Sequence, residues 1–394
     1  IITPPWPWWP PQYEHSSRLL VRLCQEAQIQ LATLLQHPAV SQPAGPVLWT
    51  SIIEAAELLP HVDQEALFCK GLTAPWSTTR YAAAMALAKL TGKASLLEAT
   101  LDALRLCQRE EEPISIRLAA SYALLRSEES SGLELLMQLI ASDTEAEARK
   151  AAVFVLATEP PLHFNQTQRE RLIELLLTAL ADQNNETCLH AARALSHVAL
   201  PSTLPHLCSL LNDTHPQVQI ATLTALEEMV NRKTMRRVIR QHTLPTHVVP
   251  LLRSSISEVR RQASYTLATF GGEYVTAVLG TTLLNGNHPA HLEAIEGLRL
   301  LRGVLRTPTR TNVVRWLLRA LQQSQEEIQA TALDSLTYLV WKARARGCKK
   351  AHNEISTEIL QDGTALRLLT CASALVRQRA IELLGILDSQ PQEI

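Results

Sequence analysis

The chain has 394 residues, of which 46% are apolar, 19% charged and 4% aromatic, and its formal net charge is −1. That length and apolar share can bury a core of two or three domains and exclude a disordered chain. Glycine, at 13 residues, is about half its usual share. This argues against sandwiches, barrels and nucleotide-binding α/β folds, whose tight turns and phosphate loops need it; with Ala and Leu abundant, the composition reads as all-α.

At the N-terminus, Pro4-Pro5-Trp6-Pro7-Trp8-Trp9-Pro10-Pro11 cannot be helical, so residues 1–18 are expected to form an extended, polyproline-like segment. Its tryptophans are expected to cap the first repeat or to lie in a linker, with partner docking as the competing use. No initiating Met and no signal peptide are visible, so the chain reads as trimmed or as part of a longer protein.

From residue 19 the pattern is helical, and a weak first copy of a repeat is expected over residues 19–59. Thereafter one window recurs, clearest in Glu258-Val259-Arg260-Arg261-Gln262-Ala263-Ser264-Tyr265-Thr266-Leu267. Anchored on its first Arg, the copies fall at Arg80, Arg117, Arg149, Cys188, Gln219, Arg260, His291, Gln329 and Arg377. Three residues on stand Ala83, Ala120, Ala152, Ala191, Thr222, Ala263, Ala294, Ala332 and Ala380. Seven residues on stand Leu87, Leu124, Leu156, Leu195, Leu226, Leu267, Leu298, Leu336 and Leu384.

The anchors are separated by 37, 32, 39, 31, 41, 31, 38 and 48 residues, room for two helices and their turns in each interval. Turn chemistry appears where the two helices must meet: Asp143-Thr144, Asp182 to Asn185, Asn212 to Pro216 and Asn285 to Pro289. Irregular spacing places loops at Thr158 to His163 and, in the longest interval, over Lys342 to Gly363. Residues 389–394 read as a tail.

This window resembles the HEAT-repeat family, with armadillo repeats as near neighbours. The resemblance covers residues ~60–388 and implies a right-handed α-α superhelix, an α-solenoid of about ten helical pairs over residues 19–388. The family's turn Asp falls on Asp143, Asp182 and Asp213, and its Arg on Arg80, Arg117, Arg149, Arg260 and Arg377. Only the copy with Asp143 and Arg149 holds both, which speaks against a continuous Asp–Arg ladder. Independently of the family, Ala at the third position allows close helix approach, and Leu at the seventh fills the seam.

Catalytic signatures are missing. There is no GxxxxGK loop, GxSxG elbow or HExxH, and no His-Glu dipeptide of the kind used by di-iron hydroxylases built on HEAT-like repeats. His288 and His291 with Glu293, and His190 and His197 near Cys188 and Cys208, lack a metal-ligand spacing and read as structural. No metal, cofactor or catalytic residue is expected. The seven cysteines are scattered and never spaced CxxC, pointing to a reducing, cytoplasmic setting. No apolar run reaches the length of a membrane span.

The near-neutral total conceals an asymmetry. Residues 1–224 hold 15 Lys and Arg against 23 Asp and Glu, residues 225–350 hold 19 against 9, and residues 351–394 hold 3 against 6. The basic stretch supplies a candidate partner-binding region: Arg232, Lys233, Arg236, Arg237, Arg240, Arg299, Arg302, Arg306, Lys349 and Lys350. It also contains Arg310, Arg315, Arg319, Lys342, Arg344 and Arg346. The competing reading is a solvated surface, with cations at helix C-termini favoured by the dipole and Arg315 and Arg319 on an ordinary exposed face.

The resulting expectation is a non-catalytic scaffold for protein–protein interaction, with an acidic protein as partner. Two other readings stand beside it. One is the repeat or sensor region of a larger signalling protein such as an NTPase. The other is nucleic-acid binding, as in the HEAT-like DNA glycosylases, although no catalytic residue of that family maps onto this chain. Single-strand binding also wants aromatics interleaved with the cations, and only Trp316 and Trp341 lie near.

Overall fold

The computed structural model describes residues 18, 21–22, 45–58, 63–91, 95–142, 146–161, 164–232, 235, 237–239, 244–285 and 288–388. The described residues are helical, with no strand among them. The Pro/Trp segment, the Asp143-Thr144 turn and the tail at 389–394 lie outside them.

Contacts divide the chain into two units, residues 1–194 and 195–394. In the first, α1 (Gly45–Glu57) is followed by the pairs α2 (Gln64–Leu72) with α3 (Ser77–Leu90), α4 (Glu98–Leu106) with α5 (Ile114–Arg126), and α6 (Ser130–Ala141) with α7 (Ala146–Thr158). Next come α8 (Gln166–Ala179) and α9 (Asn185–Val198), the latter contributing residues to both units. In the second unit, α10 (Leu204–Leu210) pairs with α11 (Pro216–Asn231). A short α12 (Leu244–Val248) running into a 3-10 turn pairs with α13 (Ser257–Phe270), α14 (Glu273–Leu284) with α15 (His291–Leu300), and α16 (Thr309–Ala320) with α17 (Glu326–Ala345). Finally α18 (Lys349–Asp362) and the short α19 (Thr364–Arg367) lead to α20 (Ala374–Asp388).

The two sequence columns form the core. All nine residues of the Ala column are fully buried, the polar Thr222 included; its hydroxyl donates to the Val218 carbonyl at 2.7 Å. Eight of the nine leucines are buried, from Leu87 to Leu336. Leu384 is only half-buried and Leu383 beside it takes the fully buried position.

The anchor column has a different task. Each anchor side chain donates a hydrogen bond to a carbonyl of the turn that precedes it. Arg80 reaches Ala74 (2.8 Å), Arg149 Ser142 (2.9 Å), Cys188 Asp182 (3.1 Å) and Gln219 Asp213 (2.8 Å). Arg260 reaches Ser254 (3.1 Å), Gln329 Gln323 (2.7 Å) and Arg377 Cys371 (2.7 Å). Arg117 reaches Gln108 at 3.3 Å, and the Nδ1 of His291 lies 2.8 Å from the His288 carbonyl. A helix end leaves carbonyls without partners, so the position demands a donor rather than a charge, and Arg, Gln, Cys and His all satisfy it.

Where the anchor is Arg, a carboxylate of the following copy can add a rung. Arg149 bonds Asp182 at 3.0 Å, Arg80 bonds Glu112 at 2.8 Å and Arg260 bonds Glu293 at 3.0 Å. The ladder is therefore interrupted, as the sequence spacing indicates, and its rungs run between copies rather than within one.

Caps follow local chemistry. Asn165 and Gln168 form a reciprocal capping box on α8, and the Asn184 side chain accepts from the Glu186 amide at 2.9 Å to open α9. The longest interval departs from expectation. Lys342 to Gly363 is not a loop: α17 continues to Ala345 and α18 fills Lys349 to Asp362. Its only sharp breaks are Gly347 and Gly363, at φ 64° and 69°, and the Ala, Lys, Arg and Glu between them favour helix.

Candidate partner-binding groove

In the second unit the second helices of successive pairs end along one edge. Here α13 gives way to Gly271 and Gly272, at φ 68° and 94°, conformations open to glycine and strained for other residues. A Cβ on Gly271 would also stand 3.1 Å from the Arg302 carbonyl oxygen. That contact sets how closely the loop after α15 lies on the end of α13, and the Arg302 amide donates to the Ala268 carbonyl at 2.8 Å.

The loop from Leu301 to Pro308 is held from beneath by Arg310. This residue is 5% exposed and donates to the Leu305 carbonyl (2.9 Å) and the Thr307 hydroxyl (3.0 Å), while pairing with Glu354 of α18. Together the α13–α14 turn, this loop and the end of α17 enclose a groove of about 1100 Å³.

Its charge is one-sided. Arg302, Arg306, Lys342 and Arg346 line it, and Glu273 is the one carboxylate among its lining residues. Arg306 and Arg346 are exposed. Arg302 donates to the Asn231 side-chain oxygen at 2.5 Å, and Lys342 lies 5.2 Å from the Tyr338 ring centre. Two exposed apolar side chains, Tyr274 and Leu300, complete the opening.

The candidate cations taken from the sequence separate into groups. Lys233, Arg236 and Arg240 lie outside the described residues, while Arg237 is exposed. Arg232 bonds the backbone carbonyl of His197 and also contacts its ring nitrogen. Burial and this guanidinium push the His197 imidazole below its ordinary value. Arg299 packs over Tyr338 at 5.2 Å. Arg302 and Arg306 reach the groove. Lys349 and Lys350 are exposed on the first turn of α18, beside it.

Arg310 is no surface cation, because its guanidinium is buried against Glu354. Arg315 pairs with Glu358 at 3.3 Å, and Arg319 lies over Trp316 at 5.2 Å, both on α16. Lys342 and Arg346, absent from the candidate set, do reach the groove. The Gly271-Gly272 pair in a glycine-poor chain was the available signal for the site. Nothing local announced that Tyr274 and Leu300 would share it.

The remaining titratable clusters do structural work. His190 meets the Phe154 ring edge-on at 4.9 Å, and His288 accepts from the Ala290 amide at 3.2 Å. Burial pushes the Cys107 and Cys188 thiols up to about 11. Among the described residues no group of three His, Cys, Asp or Glu side chains is placed to hold a metal, and no helix is long and apolar enough to cross a membrane.

Residues 133–227 match the family model of HEAT repeats. These residues form HEAT repeats. No curated protein matches the sequence of this chain. Among solved structures, its helical-repeat fold is similar to that of Kap121p bound to Pho4p, with a TM-score of 0.60 and 16% identity over 94% of this chain and 43% of that one. The karyopherin Kap121p bound to the extreme C-terminus of the protein phosphatase Cdc14p gives 0.56 and 15%, over 96% and 42%. Kap121p bound to Nup53p gives 0.54 and 15%, over 94% and 47%. The chain thus spans less than half the length of these structures, and the likeness is one of fold.

Proposed function

We propose that this protein is a non-catalytic, cytoplasmic HEAT-repeat scaffold that binds a protein partner through the second-helix edge of its second unit. The observation that carries the reading is the groove lined by Arg302, Arg306, Lys342 and Arg346 with Glu273 as its single carboxylate. An array of helical pairs offers a long continuous surface on which a few Arg and aromatic contacts supply most of the affinity. Two of the similar Kap121p structures, bound to Pho4p and to the Cdc14p C-terminus, offer precedent for protein binding on such a fold.

The reading is tested by affinity capture from cytosol with the native chain and with a variant carrying Arg306→Glu and Arg346→Glu, followed by reconstitution with purified candidates. A partner that binds the native chain directly and the variant at least about tenfold more weakly supports it. Capture of no protein that reconstitutes overturns it.

A further inference from the structure

The sign and shape of the groove specify what kind of protein segment fits. A cation at a helix C-terminus often serves its own helix by capping carbonyls, but at this edge backbone amides already do so. Gly271 bonds the Leu267 carbonyl at 3.1 Å and Arg302 the Ala268 carbonyl at 2.8 Å. Leu301 bonds Leu298 at 3.3 Å. At the end of α17, Arg346, Gly347 and Cys348 bond Lys342 (3.2 Å), Arg344 (2.9 Å) and Ala343 (2.9 Å). The Arg306 and Arg346 guanidinium groups are thereby left to the solvent side of the groove, with no carboxylate partner among the described residues.

Two further features agree with an anionic occupant. Residues Glu273 to Val275, which begin α14, line the groove, and no side chain caps that helix. Its first-turn amides therefore add a favourable field. Lys342, held against Tyr338, completes the cationic wall. Between these charges the opening carries Tyr274 and Leu300, 51% and 39% exposed, which suit apolar side chains.

We propose that the groove binds an acidic, extended protein segment, its carboxylates meeting Arg306, Lys342 and Arg346 and its apolar side chains resting on Tyr274 and Leu300. The inference rests on the protein-binding reading and names the chemistry of the partner. A nucleic acid fits less well. Its backbone would want a longer run of available cations, and outside the groove Arg232, Arg299, Arg310 and Arg315 are engaged by His197, Tyr338, Glu354 and Glu358.

The test is fluorescence anisotropy of the full chain with a short labelled peptide alternating Glu and Leu. Its Gln-for-Glu counterpart and a labelled poly-dT strand serve as comparisons, each at low and moderate salt. Expected are binding of the acidic peptide that weakens with salt, a loss of about tenfold in the Arg306→Glu, Arg346→Glu variant, and weaker binding of the other two probes. Thermal unfolding by circular dichroism confirms that the variant, altered only at exposed positions, folds as the native chain does. Absence of peptide binding at low salt, an unaffected double variant, or equal or tighter poly-dT binding overturns the inference. Failure here with a reconstituted protein partner still in hand removes only the groove chemistry; failure of reconstitution removes the scaffold reading itself.

Discussion

The two units use the same helical-pair core but finish the edge of their second helices differently. In the first unit cations at helix ends meet carboxylates at or just beyond the end of a neighbouring helix: Lys89 pairs with Glu57 at 2.8 Å and Arg126 with Glu159 at 2.9 Å. In the second unit three cations near helix ends meet neutral groups instead. Arg232 turns to the His197 carbonyl, Arg302 to the Asn231 amide oxygen and Lys342 to the Tyr338 ring. Residues 1–194 carry 15 Lys and Arg against 22 Asp and Glu, and residues 195–394 carry 22 against 16. The lesson is that the fold supplies the edge in both units, while the group each cation meets decides whether its charge is neutralised within the protein.

If the cores are equivalent, Leu124→Ala and Leu267→Ala, both at fully buried sites, should each cost about 2–5 kcal/mol in denaturant unfolding. A cost below about 1 kcal/mol at either site would show that the Leu column is not core in that unit. The next largest effect is expected from Arg310→Gln, which leaves Glu354 only the exposed Lys350 at 4.0 Å and releases the loop bearing Arg306. A loss of about 1–3 kcal/mol is expected, with weaker binding of the acidic peptide. Unchanged stability would mean the loop does not depend on that guanidinium.

Acid should act through the half-buried His197 and the buried His288. Burial, with Arg232 or Arg253 nearby, lowers the affinity of His197 and His288 for a proton, so below about pH 6.5 the unfolded chain takes up protons first. Both imidazoles are neutral in either state above that pH and contribute nothing there. Stability should therefore fall as the pH drops from about 6.5 toward their lowered folded values. Urea titrations across that range should show a shallower fall for His197→Gln; identical slopes would remove His197 as a contributor.

The smallest effect is the most pointed. Asn231→Asp gives Arg302 the carboxylate that the first unit's cations have. It should stabilise by no more than about 1 kcal/mol and weaken acidic-peptide binding about two- to five-fold. Stronger peptide binding in this variant would contradict the electrostatic account of the groove.

Much of the fold was legible because its determinants are local and periodic. Ala263 and Leu267 follow Arg260 at helical spacing, and the same interval recurs around each anchor. Over Lys342 to Gly363 spacing is a poor guide, because an irregular interval resembles a loop although its residues individually favour helix. The site was only half legible. Arg302 and Arg306 were recognisable as members of a basic stretch, but Arg310, four residues on, turns inward to Glu354. No feature of the basic stretch distinguishes these fates.

What the sequence by itself determined is the helical-pair unit: its Ala and Leu columns, a donor at the anchor and an excess of cations after residue 224. Tertiary structure decided which of those cations remain available. The physical reason is distance along the chain, since the deciding acceptors lie 35 residues from Arg232, 44 from Arg310 and 71 from Arg302. A charge whose partner belongs to another copy of the repeat has its role set only when the copies stack.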